Sequence, residues 1–236
     1  MLLIAYLHFY LFALCLFLFA LCLFLFICPL HFYLPFAYFY LPFAYFYLPF
    51  AYFLLMKQSN IQQLLITNHT TFLGTIGSLA DTDYLLSKNG KWTAGQQLEH
   101  IRRSVQPVTL AFGLPAWVLK LLFGKANRPS SSYDALVEKY QQKLAAGYSA
   151  SRRFLPPTIG LAAREKLIAA IEKLVRQLNQ RLMKYSEQEL DTLLLPHPLL
   201  GKLTLREMLY FTAYHAAHHR KATEHNLEMT DYDSKN

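Results

Sequence analysis

The first 55 residues of this 236-residue chain contain no aspartate, glutamate, lysine or arginine. They also hold all three cysteines, Cys15, Cys22 and Cys28, so residues 56–236 contain none. A segment without cysteine forms no disulfide bond and needs no oxidising compartment, so we expect residues 56–236 to lie in the cytoplasm. All 23 basic and 15 acidic residues belong to this second part, which is long enough to form one domain with a hydrophobic core.

The chain also lacks any long run of like charge, although its net charge is +8 at neutral pH. Its basic residues are scattered and occur at most as pairs such as Arg102–Arg103 and Arg220–Lys221. Scattered charge is typical of a solvated surface, and no nucleic-acid-binding motif is present. Nucleic-acid binding is therefore the least favoured class of function.

Residues 1–55 are a low-complexity apolar segment built on seven-residue repeats. LFALCLF occurs twice from Leu11 and YLPFAYF three times from Tyr33, and the copies are identical. Repeats of a folded solenoid diverge because each copy meets its own neighbours, so identical copies indicate a duplicated coding tract. We therefore predict that translation starts at Met56, where a sequence typical of a soluble protein begins.

The alternative interpretation of this segment is a membrane anchor. Residues 2–27 form an uncharged apolar run, and a spanning helix needs roughly 20 such residues. Residues 33–55 are less suited to spanning because a proline recurs every seven residues and each proline removes a helix hydrogen bond. A secretory signal fits badly, since there is no basic start and no small-residue cleavage site. If the segment is translated, residues 56–236 are expected to be attached to a membrane.

Residues 56–236 carry the patterns of an all-α domain, without strand-like alternation. The motifs Thr93-x-x-Gln96 and Thr204-x-x-Glu207 are capping boxes that each open a helix. The helix that follows Thr93 is expected to end near Val105, before Pro107. The predicted helical segments cover residues 61–86, 93–105, 134–146, 162–183 and the residues from 204 onward. Four of them are long and amphipathic, which predicts a four-helix bundle with its functional groups facing the core.

The last helix carries four of the nine histidines. At about 100° per residue, His215 and His219 share the centre of the inward face, His218 borders that face, and His225 points to solvent. Two neutral imidazoles on one buried stripe each need a donor and an acceptor, and one shared divalent cation satisfies an acceptor nitrogen of both. The spacing therefore predicts metal ligation, with His218 as an alternative ligand. Ala216 stands where an H-E-x-x-H peptidase has its glutamate, which argues against that class.

A third ligand must come from another segment, and three histidines are candidates. His197 lies between two prolines in a turn and is equally suited to capping that turn. His69 lies within the first helix and has no further context. His100 lies opposite the apolar face formed by Leu98 and Ile101, so periodicity alone predicts that it is exposed.

Two stretches resemble the DinB-like superfamily of metal-binding four-helix bundles: KWTAGQQLEHI at residues 91–101 and HPLLGKLTLREMLYFTAYHAAHHR at residues 197–220. Members typically carry a tryptophan a turn or two before a helical histidine, and a Gly-Leu-Thr-like helix opening ahead of H-x-x-x-H. The resemblance covers most of residues 56–236. It implies a mononuclear site with three histidine ligands, which in this sequence are His100, His215 and His219. It also implies a metal-dependent hydrolase, or a transferase acting on a low-molecular-weight thiol.

Three imidazoles would leave a coordination position open for water or substrate, as in catalytic metal sites. Imidazole ligands do not distinguish Zn, Ni and Fe. Such a cation could lower the pKa of a bound water or hold a thiolate for transfer. Glu99 and Tyr214, which adjoin the ligands, are candidates for handling protons, and Arg220 is a candidate for contacting an anionic substrate. No pattern identifies a catalytic side chain.

Two other function classes remain open at this point. One is a non-catalytic helical bundle whose apolar faces serve assembly, for example as a homodimer. The other is a membrane-tethered version of the bundle, which depends on residues 1–55 being made. The enzyme hypothesis expects a small-molecule partner.

Overall fold

Eight α-helices and one β-hairpin make up the part of the chain that the structure describes. The structure is a computed structural model that describes residues 56–88 and 90–233, with side chains as far as residue 228. The predictions made for residues 1–55 lie outside these residues. The helices are α1 (Gln58–Gly77), α2 (Asp81–Leu85), α3 (Ala94–Ala111), α4 (Ala116–Phe123), α5 (Tyr133–Ala145), α6 (Arg164–Leu182), α7 (Glu187–Thr192) and α8 (Leu205–Asp233). The strands are β1 (Leu194–His197) and β2 (Gly201–Thr204).

The four longest helices, α1, α3, α6 and α8, form the bundle. α1 packs against α6 and α8, and α3 packs against the same two helices. The first and second long helices therefore lie diagonally across the bundle, and so do the third and fourth. In bundles with short loops, consecutive helices lie side by side. The predicted all-α four-helix bundle is confirmed, and its helix order is an uncommon one.

Buried apolar side chains form two clusters, and α8 contributes to both. One cluster contains Leu65 and Phe112 and receives Ala213 from α8. The other contains Leu98 and Ile171 and receives Ala216 from α8. The turn of α8 that carries the inward histidines therefore lies where the two clusters meet.

The start of α8 is held by a fully buried carboxylate. The Glu207 amide donates to Thr204 Oγ1 at 3.2 Å, and the Thr204 amide donates to Glu207 Oε2 at 2.9 Å. The predicted capping box is therefore present, as is the one at Thr93. Arg128 adds two hydrogen bonds to the same carboxylate, at 2.6 and 2.8 Å. These contacts fix both the position of the first turn and the rotation of the helix about its axis.

Arg206 is buried one residue earlier and joins three separate segments. Its guanidinium donates to Asp191 Oδ1 and to Glu187 Oε2, both at 2.6 Å, and to the Met56 carbonyl at 2.5 Å. Charge-assisted bonds of this kind are about twice as strong as neutral ones. The first turn of α8 is thereby connected to α7 and to the chain entering α1.

The segment LPHPLLGK, predicted as a turn without strands, is a β-hairpin. β1 and β2 pair antiparallel with Leu195 opposite Leu203, and Gly201 adopts a positive φ of 79°. The absence of strands predicted from the sequence is therefore wrong. Each strand has only four residues, and the adjacent Leu194 and Leu195 are both buried, so no alternation is visible.

The second predicted helix also extends further than expected, because α3 continues through Pro107 to Ala111. Proline in a helix interior removes one backbone hydrogen bond. Val105 and Val108, on either side, are buried, and the Thr109 hydroxyl donates to the Val105 carbonyl at 3.0 Å. Packing against α6 outweighs the local tendency of proline to end a helix.

No single helix within residues 56–88 and 90–233 has both the length and the hydrophobicity to cross a membrane. α3 and α4 pass that test only as a pair, and they are bent by 110° where they meet. The apolar run at residues 2–27 lies outside the described part of the chain.

Arg206→Ala is expected to destabilise the fold by about 3–5 kcal/mol, because it leaves Asp191 buried without its cation. The measurement is urea unfolding of the full-length protein at neutral pH. Arg176→Ala is the matched control. Arg176 pairs with Glu172 at 3.8 Å on the surface, and its removal should change the unfolding free energy by less than about 1 kcal/mol. Equal effects of the two substitutions would contradict the assigned role of Arg206.

Candidate metal centre

Three buried imidazoles from two helices converge in the bundle. α3 contributes His100, and α8 contributes His215 and His219. The Nε2 atom of His215 lies 3.2 Å from that of His100 and 2.9 Å from that of His219. One potential ligand atom from each ring lies within 4.8 Å of the other two. The structure thus brings together the three histidines singled out from the sequence.

His100 is buried, with only 4% of its surface exposed, whereas the periodicity of its helix predicted exposure. The cause is the segment that follows α5. A 3-10 turn, Arg152–Phe154, lies over this face of α3, and the Phe154 carbonyl accepts a hydrogen bond from His100 Nδ1 at 2.8 Å. Arg103 donates to the Leu155 carbonyl at 2.9 Å and helps to hold the segment in place. Helical periodicity reports only the face that meets other helices.

Oxygen acceptors fix the orientation of two of the rings. The Phe154 carbonyl accepts from His100 Nδ1, and the side-chain oxygen of Gln97 accepts from His219 Nδ1. An imidazole that donates through Nδ1 carries an unprotonated Nε2 when it is neutral. Both rings therefore direct a lone pair toward the nitrogen of His215. Hydrogen-bond acceptors behind the ring are the usual support of histidine metal ligands.

The electrostatics of the site favour neutral rings. Burial is the main cause that lowers the pKa of His215 and His219 well below 6.5, and positive charge on neighbouring imidazoles lowers it further. Burial also lowers the pKa of His100, although the bond to Phe154 opposes this. All three rings are therefore neutral at pH 7, which is the form that binds a metal ion.

Aromatic side chains enclose the imidazole rings. Trp92 is stacked on His219, with 6.1 Å between ring centroids and an interplanar angle of 9°, and its centroid lies 4.9 Å from that of His100. Phe211 is stacked on His215 at 4.8 Å. Trp92 immediately precedes the Thr93 capping box, so the motif that begins α3 also places this ring against the site.

A cavity of about 460 Å³ opens beside His219. His218 and Gln97 form its inner wall together with Trp92, and Lys88 and Lys91 lie on its outer part. The described residues that line it include no aspartate or glutamate. One side of the imidazole cluster is thus reached through a basic cavity, while the linker that covers His100 closes another side.

The remaining histidines occupy separate places. His69 is buried in α1, where its Nδ1 donates to the Leu65 carbonyl at 2.8 Å and burial lowers its pKa to about 4. His197 caps its turn by accepting two backbone N–H groups at Nδ1, as one interpretation expected, and burial also lowers its pKa to about 4. His218 lies outside the three-ring cluster and contacts Tyr140, with 5.6 Å between ring centroids.

The polar residues that adjoin the cluster in sequence have other partners. Glu99 accepts hydrogen bonds from both Arg102 and Arg103 at 2.7 Å. The Tyr214 hydroxyl accepts from the Gln141 side chain at 2.9 Å. Arg220 donates to the glutamate four residues later at 2.5 Å. Each of these side chains therefore forms an ion pair or a hydrogen bond with a group other than the three imidazoles.

Sequence reasoning missed the two acceptors that orient the rings. Gln97 precedes His100 by three residues, so the two lie on the same side of α3, and this spacing was the available signal. The Phe154 acceptor is a backbone carbonyl in an irregular linker. Because every residue has a backbone carbonyl, the identity of this residue carries no information about its role as an acceptor.

This chain is similar to known proteins both in sequence and in fold. The family model of the DinB superfamily matches residues 64–222. Among solved structures, the chain is similar to YfiT from Bacillus subtilis, which is described as a probable metal-dependent hydrolase with an unusual four-helix bundle topology. The match has a TM-score of 0.50 at 17% identity and covers 74% of this chain and 88% of that one. At this identity the likeness shows the fold alone. No curated protein matches the chain.

In metal-free protein at pH 7, the Nε2 atoms of His100 and His219 are expected to be unprotonated, because each Nδ1 donates to an oxygen. Long-range proton–nitrogen NMR spectra of the histidine side chains distinguish the two tautomers. Gln97→Leu should remove the preference at His219 and leave that of His100 unchanged. A proton found on Nε2 of both rings would show that the oriented-ring description is wrong.

Proposed function

The chain belongs to the DinB superfamily, and we propose that it is a metal-dependent enzyme whose His100, His215 and His219 hold one divalent metal ion. The reaction proposed is hydrolysis, or transfer of a low-molecular-weight thiol. The observation that carries the proposal is the convergence of three buried imidazoles on one point.

The three histidines are better suited to binding a cation than to hydrogen-bonding with one another. His100 and His219 each direct an unprotonated Nε2 at His215, whose own Nε2 carries at most one hydrogen. Without a positive partner, at least one lone pair therefore faces the His215 nitrogen, at 2.9–3.2 Å, without a hydrogen bond of its own. A divalent ion with borderline-soft character suits such a donor set, and imidazole ligands do not distinguish Zn, Ni and Fe.

Three protein ligands leave room for a small molecule, and the basic cavity beside His219 is the route to it. When bound, the cation would supply Lewis acidity that lowers the pKa of a water or thiol ligand. YfiT is described as a probable metal-dependent hydrolase, which agrees with water as this ligand. Lys88 and Lys91 favour a substrate that carries negative charge.

The chain's own residues have separate tasks in this proposal. Gln97 and the Phe154 carbonyl keep the Nε2 atoms of His219 and His100 directed inward. Trp92 covers the two rings and presents an aromatic face toward the cavity. The Arg152–Phe154 turn excludes water from the side of His100. Substrate is thereby confined to one direction of approach.

A non-catalytic role is the second candidate, because the histidines join α3 to α8. An ion between neighbouring helices would then act as a cross-link, and the metal would contribute directly to folding. The two roles differ in what metal removal does. A structural ion is required for the fold, whereas a catalytic ion is required only for turnover.

The metal proposal predicts about one bound divalent ion per full-length chain, measured by elemental analysis after loading and desalting. His100→Ala, His215→Ala and His219→Ala should each reduce this content by more than about tenfold, since two imidazoles bind weakly. His218→Ala is the matched control and should retain the ion, because that ring lies on the same helix but outside the cluster. Full retention of metal in the three variants would refute the site.

The reaction class is tested on the loaded protein with esters and amides for hydrolysis, and with small thiols plus an electrophile for transfer. Activity should disappear on chelation and return on adding metal, while circular dichroism shows the helices unchanged. Loss of helical signal on chelation would instead support the cross-linking role. An intact, metal-loaded protein inactive in every assay would count against the enzyme.

A further inference from the structure

We propose that the outer face of α4, together with the end of α3, binds the surface of an anionic lipid bilayer. This surface, termed here the α4 face, consists of Leu110, Leu114, Trp117, Leu121 and Leu122. Their exposed fractions are 61%, 39%, 68%, 76% and 58%, respectively. It is separate from the proposed metal site and does not depend on it.

The α4 face is exposed because α4 meets the rest of the protein on one side only. Leu119 is fully buried, and helical geometry places Trp117 and Leu121 on the opposite side of the eight-residue helix. Leu110, at the end of α3, and Leu114, in the connection to α4, are close to Trp117 and Leu121 in the chain, and α4 is bent by 110° from α3. Large apolar side chains gathered in this way mark an interaction surface more often than isolated ones do.

Basic residues flank the α4 face. Lys120 lies on α4 itself and Lys125 follows its end, and both are exposed. Lys202 reaches over from β2, where its ammonium donates to the Phe123 carbonyl at 3.2 Å. Of the acidic groups on α7, Asp191 and Glu187 are bound to Arg206, and Glu189 accepts hydrogen bonds from Ser186. An exposed tryptophan with leucines and flanking lysines has the composition of helices that lie in the headgroup region of anionic membranes.

The chain enters the described domain at the same end of the bundle. The Gln58 side chain donates to the carbonyls of Leu182 and Tyr185, at 2.7 and 2.9 Å. The Tyr185 hydroxyl in turn donates to the Leu114 carbonyl, within the α4 face, at 2.7 Å. Met56, where the described residues begin, therefore lies at the end of the bundle that carries the α4 face.

A bilayer fits the α4 face better than a second copy of the chain does. Self-association through this surface would bring Lys120, Lys125 and Lys202 close to their own equivalents, and like charges repel. Anionic headgroups supply the opposite charge. Leu110 follows His100 by ten residues, which is roughly 15 Å along α3. The cavity beside Trp92, near the other end of that helix, therefore stays accessible.

The test uses Trp117 as a reporter in the full-length chain. The protein has two tryptophans, so Trp92→Phe leaves Trp117 as the single tryptophan, which can be excited selectively over tyrosine. It is mixed with phosphatidylcholine vesicles, with and without phosphatidylserine, whose acyl chains carry bromine. With phosphatidylserine we expect a blue shift and quenching of Trp117 emission, both reduced by high salt. This signal reports the α4 face itself, even if residues 1–55 also bind lipid.

Two added substitutions give the comparison. Leu121→Glu should reduce the partition that quenches Trp117 roughly tenfold or more, because it replaces a large apolar contact with a charge. Leu161→Glu changes an exposed leucine of the 3-10 turn at residues 161–163 and should leave quenching unchanged. Circular dichroism of both variants verifies that the helices are retained.

Three results would overturn the proposal. Vesicle-bound protein with unquenched Trp117 would mean that the chain attaches through another segment. Trp117 emission that shifts to the blue with protein concentration and without lipid would assign the α4 face to a second copy. Blue-shifted emission at every concentration without lipid would mean that the chain's own residues cover it.

Discussion

Three buried imidazole nitrogens face one another inside this bundle, and that arrangement is the constraint on which the rest of the site depends. The lone pairs of His100 and His219 have left water, and the His215 nitrogen between them carries at most one hydrogen. The surrounding structure prevents the imidazoles from turning away. Gln97 and the Phe154 carbonyl hold two of them from behind, and Trp92 lies against the same two. A cation would convert an unfavourable contact into the centre of the site.

The positions of the three imidazoles are set at the beginnings of α3 and α8. Thr93 begins α3 and fixes the phase of Gln97 and His100, which lie one and two turns later. Glu207 and its partners do the same for α8, whose inward histidines follow two to three turns further on. Because a helix is stiff over this length, restraint at its first turn determines where later side chains point.

The sequence predicts features that depend on residues close together in the chain. It predicts less well those that depend on tertiary packing. The two capping boxes, the H-x-x-x-H spacing and the amphipathic stripes all depend on residues within a few positions of one another, and each has its structural counterpart. The burial of His100 depends on a linker more than 50 residues away, and the hairpin around His197 is too short and too buried to alternate. Pro107 shows the same limit, since tertiary contacts extend α3 through a residue that would end an isolated helix.

The diagonal order of the long helices has a consequence for biosynthesis. Of the described helices α1 is made first, yet both of its lateral neighbours, α6 and α8, are encoded far downstream. Its apolar stripe must stay uncovered while most of the polypeptide is still being made, and contacts that close such long loops form slowly. The core around α1 therefore cannot be completed until the last helix has been synthesised.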